Sequence, residues 1–385
     1  MKYRKLGRTG LEVSEISMGL EHLLVKEESV VVETVRAAIE GGVNYFDCFS
    51  QTDFPKNPAT NDEYIRLGKA LEGLRDKVYL AYLANAFNPV EKVQVGFECF
   101  LREVKIDYTD VFLISCCDKP ALYDTVTGSG SLLEYARKLR DEGKVRYIGF
   151  GTHSADMAFK AIDSGDFDVL LYPVNPAFDV VTDEEEYMSE DFGKLWDAAH
   201  DFTGIGKTGA LPRKSVYSQC EQKGVGLVAM KPFAGGWIFR TEKEAGFTPL
   251  NLISYALSQS GVSAVVPGCK TPQEIEEILT YYTCPPEELD YSGAVAKSRW
   301  SVKENCLYCT HCLPCQADID IAGINKLLDN LDDSISSDTS AAFDKYRALT
   351  AKASSCIECG DCMERCPFQV EIIKKMKRAA KIFET

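Results

Sequence analysis

Three features of the sequence predict an α/β fold, a (β/α)8 barrel joined to a small, mostly helical second domain. From Glu15 to about Thr283, short apolar runs alternate with helix-period segments eight times over. Several of the helical segments end at glycine, the residue that most easily takes the left-handed conformation that closes a helix. After Tyr281 that rhythm stops, and eight of the fifteen cysteines crowd between Cys306 and Cys366. Alternating strand and helix requires a parallel sheet with right-handed crossovers, and eight repeats favour closure over an open sheet. The expected domains are residues 1–283 and 284–385.

The strands, in order, are EISMGL, NYFDCF, KVYLAYLA, DVFLISC, RYIGFGTH, DVLLYPVN, VGLVAMKP and SAVVPGC, each followed by a helix such as SVVVETVRAAIEGG or TPQEIEEILTYY. In such a barrel the chemistry gathers at the C-terminal ends of the strands. That rule brings together Asp47, Ser115, Cys116, His153, Asn175 and Lys231 as candidates. Ser115 and Cys116 open the unusual run SCCDK at the end of strand 4. Cys116 or Cys117 could approach Cys48, or join His22 and His153 around a metal; small buried packing residues are the plainer reading of these cysteines. A long insertion at about 176–212 is expected to act as a lid, a substrate wall or a docking surface. Inside it, GIGKTG lacks the first glycine of a phosphate loop, because position 201 is Asp201, and reads as a turn.

Composition narrows the partners. With 45% hydrophobic residues the chain can bury a large core, and its net charge of −15 disfavours nucleic acid and anionic membranes. No apolar run approaches a membrane span and no leader pattern is evident, so the expectation is a cytoplasmic protein acting on a small molecule.

The cysteine runs are more specific. CIECGDCMERCP places Cys356, Cys359, Cys362 and Cys366 before Pro367 in the C-x2-C-x2-C-x3-C-P spacing of bacterial ferredoxins. CLYCTHCLPC, with Cys306, Cys309, Cys312 and Cys315, is one residue shorter. Three closely spaced thiolates reach one cubane, and the fourth projects to its neighbour. The reading is therefore a ferredoxin-like iron-sulfur domain. One [4Fe-4S] cluster would sit on Cys306, Cys309, Cys312 and Cys366, the other on Cys356, Cys359, Cys362 and Cys315. Zinc normally uses pairs of CxxC, and disulfides belong to oxidising compartments. His311 is expected outside the ligand set. The basic helix in EIIKKMKRAAKIFET suggests docking of an acidic ferredoxin or flavodoxin, with a solvated surface helix as the plainer reading.

The stretches KYRKLGRTGLEVSEISMG, GGVNYFDC, LGKALEGLRDKVYLA, GKVRYIGFGTHS and MKPFAGG resemble the aldo/keto reductase superfamily over most of residues 1–283. The cysteine-rich tail resembles the subgroup bearing a C-terminal ferredoxin-type domain. The resemblance implies a catalytic Asp, Tyr, Lys and His, of which only Asp47 is present. Thr52, Leu83 and Ser115 stand in the other places, and Leu171 replaces the Gln that would hold a carboxamide. Asn175 is kept, as are Gly235, Gly236, Gly268, Lys270 and Thr271 at the phosphate end of the family's nicotinamide site. NADP(H) binding is accordingly allowed, while ordinary NADPH-dependent carbonyl reduction lacks its proton donor.

The function expected is an iron-sulfur oxidoreductase moving electrons between the clusters and a small substrate at the barrel mouth, with Asp47, His153 and Lys231 handling protons. The alternatives are a non-redox lyase or dehydratase with structural clusters, and an electron-transfer subunit with an inactive barrel.

Overall fold

The computed structural model describes residues 1–50, 61–180, 213–298, 304, 306–332 and 340–384. An antiparallel hairpin of β1 (Tyr3–Lys5) and β2 (Glu12–Ser14) opens the chain. Eight parallel strands follow, paired in sequence order: β3 (Met18–Gly19), β4 (Tyr45–Asp47), β5 (Tyr79–Asn85), β6 (Thr109–Ser115), β7 (Val145–Gly151), β8 (Val169–Pro173), β9 (Gly226–Met230) and β10 (Val262–Val266). Parallel bridges Ile16 to Val265 and Gly19 to Gly268 bring the last strand back to the first. Each of the eight expected apolar runs overlaps one of these strands, and the α/β barrel is as the sequence predicts.

Alternation along each strand sorts the side chains. In β6, Val111 and Leu113 face the barrel interior with Tyr45, Leu83, Leu171 and Val266, while Phe112 and Ile114 join the layer beneath the outer helices. Burying one such Leu or Phe side chain contributes about 2 kcal/mol. Leu6, Leu11 and Val13 from the hairpin complete the interior packing. The hairpin sits close: Gly7 has φ +50°, and a Cβ there would lie 2.3 Å from the Gly226 nitrogen.

Of the insertion at 176–212, the described part is a short helix, Pro176–Val180. The rest, including GIGKTG, lies outside the described residues, as does Thr52. The tail contains helices Ile321–Asp332, Ser340–Ala348 and Ile372–Phe383 around a core that includes Leu307, Ile324, Leu328, Tyr346, Phe368 and Met376. It is fastened to the barrel by the Ser218 hydroxyl donating to Asn330 Oδ1 (2.6 Å) and Lys326 Nζ donating to the Ser258 carbonyl (2.5 Å). On the last helix, Ile372, Met376, Ala379 and Phe383 form the buried face. Several of its cations are ion-paired, Lys374 with Glu371 at 3.1 Å, and Lys375 with Asp329 and Lys377 with Glu358, both at 2.7 Å. Among the described residues no helix is long and apolar enough to cross a membrane.

Candidate functional site

The C-terminal ends of the strands open into a cavity of about 460 Å³. Asp47, Ser115, Cys116, His153, Lys231, Gly235, Gly268 and Lys270, all singled out in the sequence, line it. The backbone is bent to present two of them. Cys116, directly after β6, has φ +61°, and Lys231, directly after β9, has φ +52°. A non-glycine residue in the left-handed region costs about 1–2 kcal/mol, and such strain concentrates at functional sites. Because the chain turns there, Cys116 lines the mouth while Cys117 packs into the outer core.

At the centre is an array that the sequence does not reveal. Asp118 Oδ2 lies 3.0 Å from His153 Nδ1, and Lys231 Nζ lies 2.8 Å from His153 Nε2. Asp118 Oδ1 also accepts from the His153 backbone N–H (2.6 Å) and the Thr152 hydroxyl (2.8 Å). With Lys231 as an ammonium donor, Nε2 accepts and Nδ1–H donates to Asp118, so the neutral imidazole has a defined tautomer. Burial by itself would raise the Asp118 pKa, but the His153 ring and these donors overcome it and hold the carboxylate below its ordinary range. Burial and the Lys231 charge lower His153, against the pull of Asp118. Burial also lowers Lys231, to about 8, although Glu21, Cys116 and Asp118 oppose it.

Asp47 stands apart from this array. Burial raises its pKa to about 7 and Glu21 adds to the rise, while the Phe49 N–H, donating at 3.2 Å, works against it. Asp47 and Lys231 thus exchange protons near neutrality, as groups acting as acid or base must. Cys116 does not: burial, then Asp118, push its thiol up to about 12, against the nearby Lys231. It is a weak nucleophile at neutral pH. The Ser115 hydroxyl donates to the Ala84 carbonyl at 3.4 Å.

The residues expected to hold a nucleotide are divided. Gly235, Gly268 and Lys270 line the cavity with Arg240, which sequence reasoning missed. The Asn175 amide is engaged at both ends, donating to the Lys231 carbonyl and accepting from the Phe178 N–H, each at 3.0 Å. Thr271 caps helix Pro272–Leu279 by accepting from the Glu274 N–H (3.2 Å), and the Lys270 N–H donates to the Glu274 carboxylate (2.6 Å). An anion arriving there meets a carboxylate already in place.

The cysteines form two hollows. Cys306, Cys309, Cys312 and Cys366 line one, and Cys315, Cys356, Cys359 and Cys362 line the other, each small beside the barrel mouth. The two runs repeat one backbone shape. Positive φ falls two and four residues after the first cysteine in each, at Tyr308 and Thr310, then at Glu358 and Gly360. It falls again three residues after the last cysteine, at Asp318 and Gln369. Arg365 ties the runs together by donating to the carbonyls of His311, Cys312 and Pro314. His311 stands outside both sets, near Ser292 and Asp290. All fifteen cysteines are free thiols. Among the described residues no group of three or more His, Cys, Asp or Glu side chains is placed to hold a metal ion. That applies equally to the extra metal considered for Cys48, Cys116, His22 and His153. The donor set, four thiols around a hollow, suits a cubane.

The first hollow adjoins the barrel. The Tyr291 hydroxyl donates to the Leu307 carbonyl (2.7 Å). On helix Arg213–Lys223, Arg213 donates to the His153 carbonyl (3.1 Å) and its neighbour Lys214 to the Cys306 carbonyl (3.5 Å). The second hollow faces outward: Cys359 is exposed, as is Ile357 at 61%.

No protein-family model matches the chain. L-galactose dehydrogenase of Arabidopsis thaliana is 29% identical over 187 residues, 44% of this chain and 56% of that enzyme, so the match spans little more than half of the relative's length. The solved structure of an aldo-keto reductase from Bacillus halodurans is 18% identical, with TM-score 0.52, covering 79% of this chain and 99% of that one. An aldo-keto reductase from Klebsiella pneumoniae, solved in complex with NADPH, is 18% identical, with TM-score 0.51, covering 75% and 92%. The likeness to solved structures establishes the fold, the parallel (β/α)8 barrel that those aldo-keto reductases share.

Sequence reasoning missed Asp118 and Glu21 as well as Arg240. Asp118 lies two residues beyond Cys116 at one strand end and Glu21 two residues beyond β3, so the strand-end rule, extended by two or three residues, would have found both.

Proposed function

We propose that the chain is an aldo-keto reductase-type oxidoreductase whose tail holds two [4Fe-4S] clusters and whose barrel mouth binds a small carbonyl or hydroxyl compound. The observation that carries this reading is the pair of four-cysteine hollows with matching backbone, one against the barrel and one at the surface. Cys306, Cys309, Cys312 and Cys366 would hold the inner cluster; Cys315, Cys356, Cys359 and Cys362 would hold the outer one. Bound there, such clusters supply or accept electrons one at a time.

The chain's own groups supply the protons. A carbonyl oxygen in the mouth would accept a hydrogen bond from the Lys231 ammonium, whose place beside His153 fixes its direction. Lys231 would pass its proton to that oxygen as electrons arrive, and the amine left behind stays within hydrogen-bond reach of His153, whose ring Asp118 orients. Asp47, with its pKa of about 7, offers a second exchangeable proton on the same cavity. This replaces the missing phenol of the related reductases. NADP(H) would find Arg240 and Lys270 for its phosphates, but Asn175 and the capped helix at Thr271 are already engaged, and no step here requires it. An acidic ferredoxin or flavodoxin would dock near Ile357 and Cys359, where the outer hollow is nearest solvent. The setting expected is the cytoplasm.

The test is anaerobic. Iron and acid-labile sulfide in equal amounts, with cluster oxidation state changing on addition of candidate carbonyl or hydroxyl compounds, would support the proposal. Zinc without sulfide would overturn it, and clusters that never change state during turnover would favour a lyase or dehydratase.

A further inference from the structure

The Asp118–His153–Lys231 array has the order of a nucleophile, its base and the group that orients the base, with an amine in the nucleophile's place. The two contacts are 2.8 and 3.0 Å, within the reach such arrays require. Lys231 opens onto a cavity of about 460 Å³, room enough for a small organic molecule. Its strained φ of +52° directly after β9 is the kind of cost a backbone bears to aim a side chain.

We propose that Lys231 is an amine nucleophile that condenses with the carbonyl group of an aldehyde or ketone to form a covalent imine at the barrel mouth. This goes beyond the electron-transfer reading and needs neither a cluster nor a nicotinamide. Lys231 passes a proton to His153 Nε2, and Asp118 offsets the charge gained. The nitrogen lone pair attacks the carbonyl carbon, the C–N bond forms, and the C=O π pair moves to oxygen. That oxygen takes up two protons originating on the amine, relayed through His153, and departs as water, while the nitrogen pair closes the C=N bond. Ammonium and carbonyl become protonated imine and water; no electrons are exchanged and no further reactant is needed. The protonated imine is an electron sink on the same cavity as Asp47, so a proton on the adjacent carbon becomes removable by that carboxylate.

The experiment uses full-length, cluster-loaded protein with glycolaldehyde or pyruvate as probe and cyanoborohydride to reduce imines in place. Labelling is followed at each lysine by peptide mass spectrometry. Lys270 lines the same cavity and Lys138 is a surface lysine, so both serve as internal references. Lys231 should be labelled at least ~10-fold faster than either at neutral pH, a fraction of what a positioned base supplies. Its rate should level off above about pH 8. His153→Gln should erase the preference, and Lys231→Arg should abolish the label at that position, with visible cluster absorbance reporting that each variant is folded. Labelling of Lys231 no faster than Lys138 in the wild-type protein, with no levelling off, would overturn the proposal even if a variant failed to fold. Iron and sulfide analysis is a separate readout, so failure of the cluster reading would not be mistaken for failure of this one.

Discussion

Replacing Asp47 with asparagine should stabilise the protein in mild alkali far more than in mild acid. Asp47 is 7% exposed, and burial holds its pKa at about 7 against an ordinary 3.8. Between those values the unfolded chain has released the proton that the folded chain keeps, so wild-type stability falls as pH rises through this window and levels off above about 7. The full gap of about 3.2 pH units, at about 1.36 kcal/mol each, corresponds to roughly 4 kcal/mol as an upper limit. At about pH 5 only about 1.2 of those units have been traversed, roughly 1.6 kcal/mol. Asp47→Asn removes the dependence while its side-chain oxygen can still accept from the Phe49 N–H. The variant should therefore gain roughly 1–3 kcal/mol more, relative to wild type, at about pH 8 than at about pH 5. Anaerobic denaturant unfolding of both proteins at the two pH values, followed by tryptophan fluorescence and far-ultraviolet dichroism, measures this difference. The same difference at both pH values, or a greater loss in alkali, would refute the reasoning.

Cys315→Ser should remove the cluster associated with Cys356, Cys359 and Cys362, not the one in its own run. Iron and sulfide would fall by about half, and the paramagnetic signal of the inner cluster would persist after reduction. Loss of the Cys306 cluster instead would show the pairing to be wrong. Cys116 should react slowly with iodoacetamide at neutral pH although it lines the cavity, because its thiol is pushed up to about 12; rapid alkylation by peptide mapping would contradict that environment. Gly7→Ala should cost roughly 2–4 kcal/mol, combining left-handed strain with the clash against Gly226. Gly10→Ala, at φ +75° with open space around it, should cost only about 1–2 kcal/mol, and equal losses in unfolding experiments would disprove the contribution of the clash.

Much of the architecture was legible because its causes are local. A strand such as DVFLISC alternates Val111 and Leu113 with Phe112 and Ile114 because its two faces meet two cores, and that periodicity is written in consecutive residues. The cysteine spacing is equally local, since the C-x2-C-x2-C pattern of each run is written in consecutive residues. Thr271 shows the opposite failure. Its position at a helix start suggested an anion site, yet its hydroxyl accepts from Glu274, three residues on, so the capping residue and its helix are satisfied from within.

The sequence alone therefore determined the eight-fold barrel, the cysteine-rich tail and the ring of candidates at the strand ends. Only the tertiary structure decided that Asp118, His153 and Lys231 form one hydrogen-bonded array, because they end or follow strands 4, 5 and 7 and their approach depends on barrel register and on two left-handed turns. It also brought Cys306 and Cys366, sixty residues apart, to the same hollow. Local periodicity specifies which face a residue shares with its neighbours; closure of the barrel and docking of the tail specify which distant residue it meets.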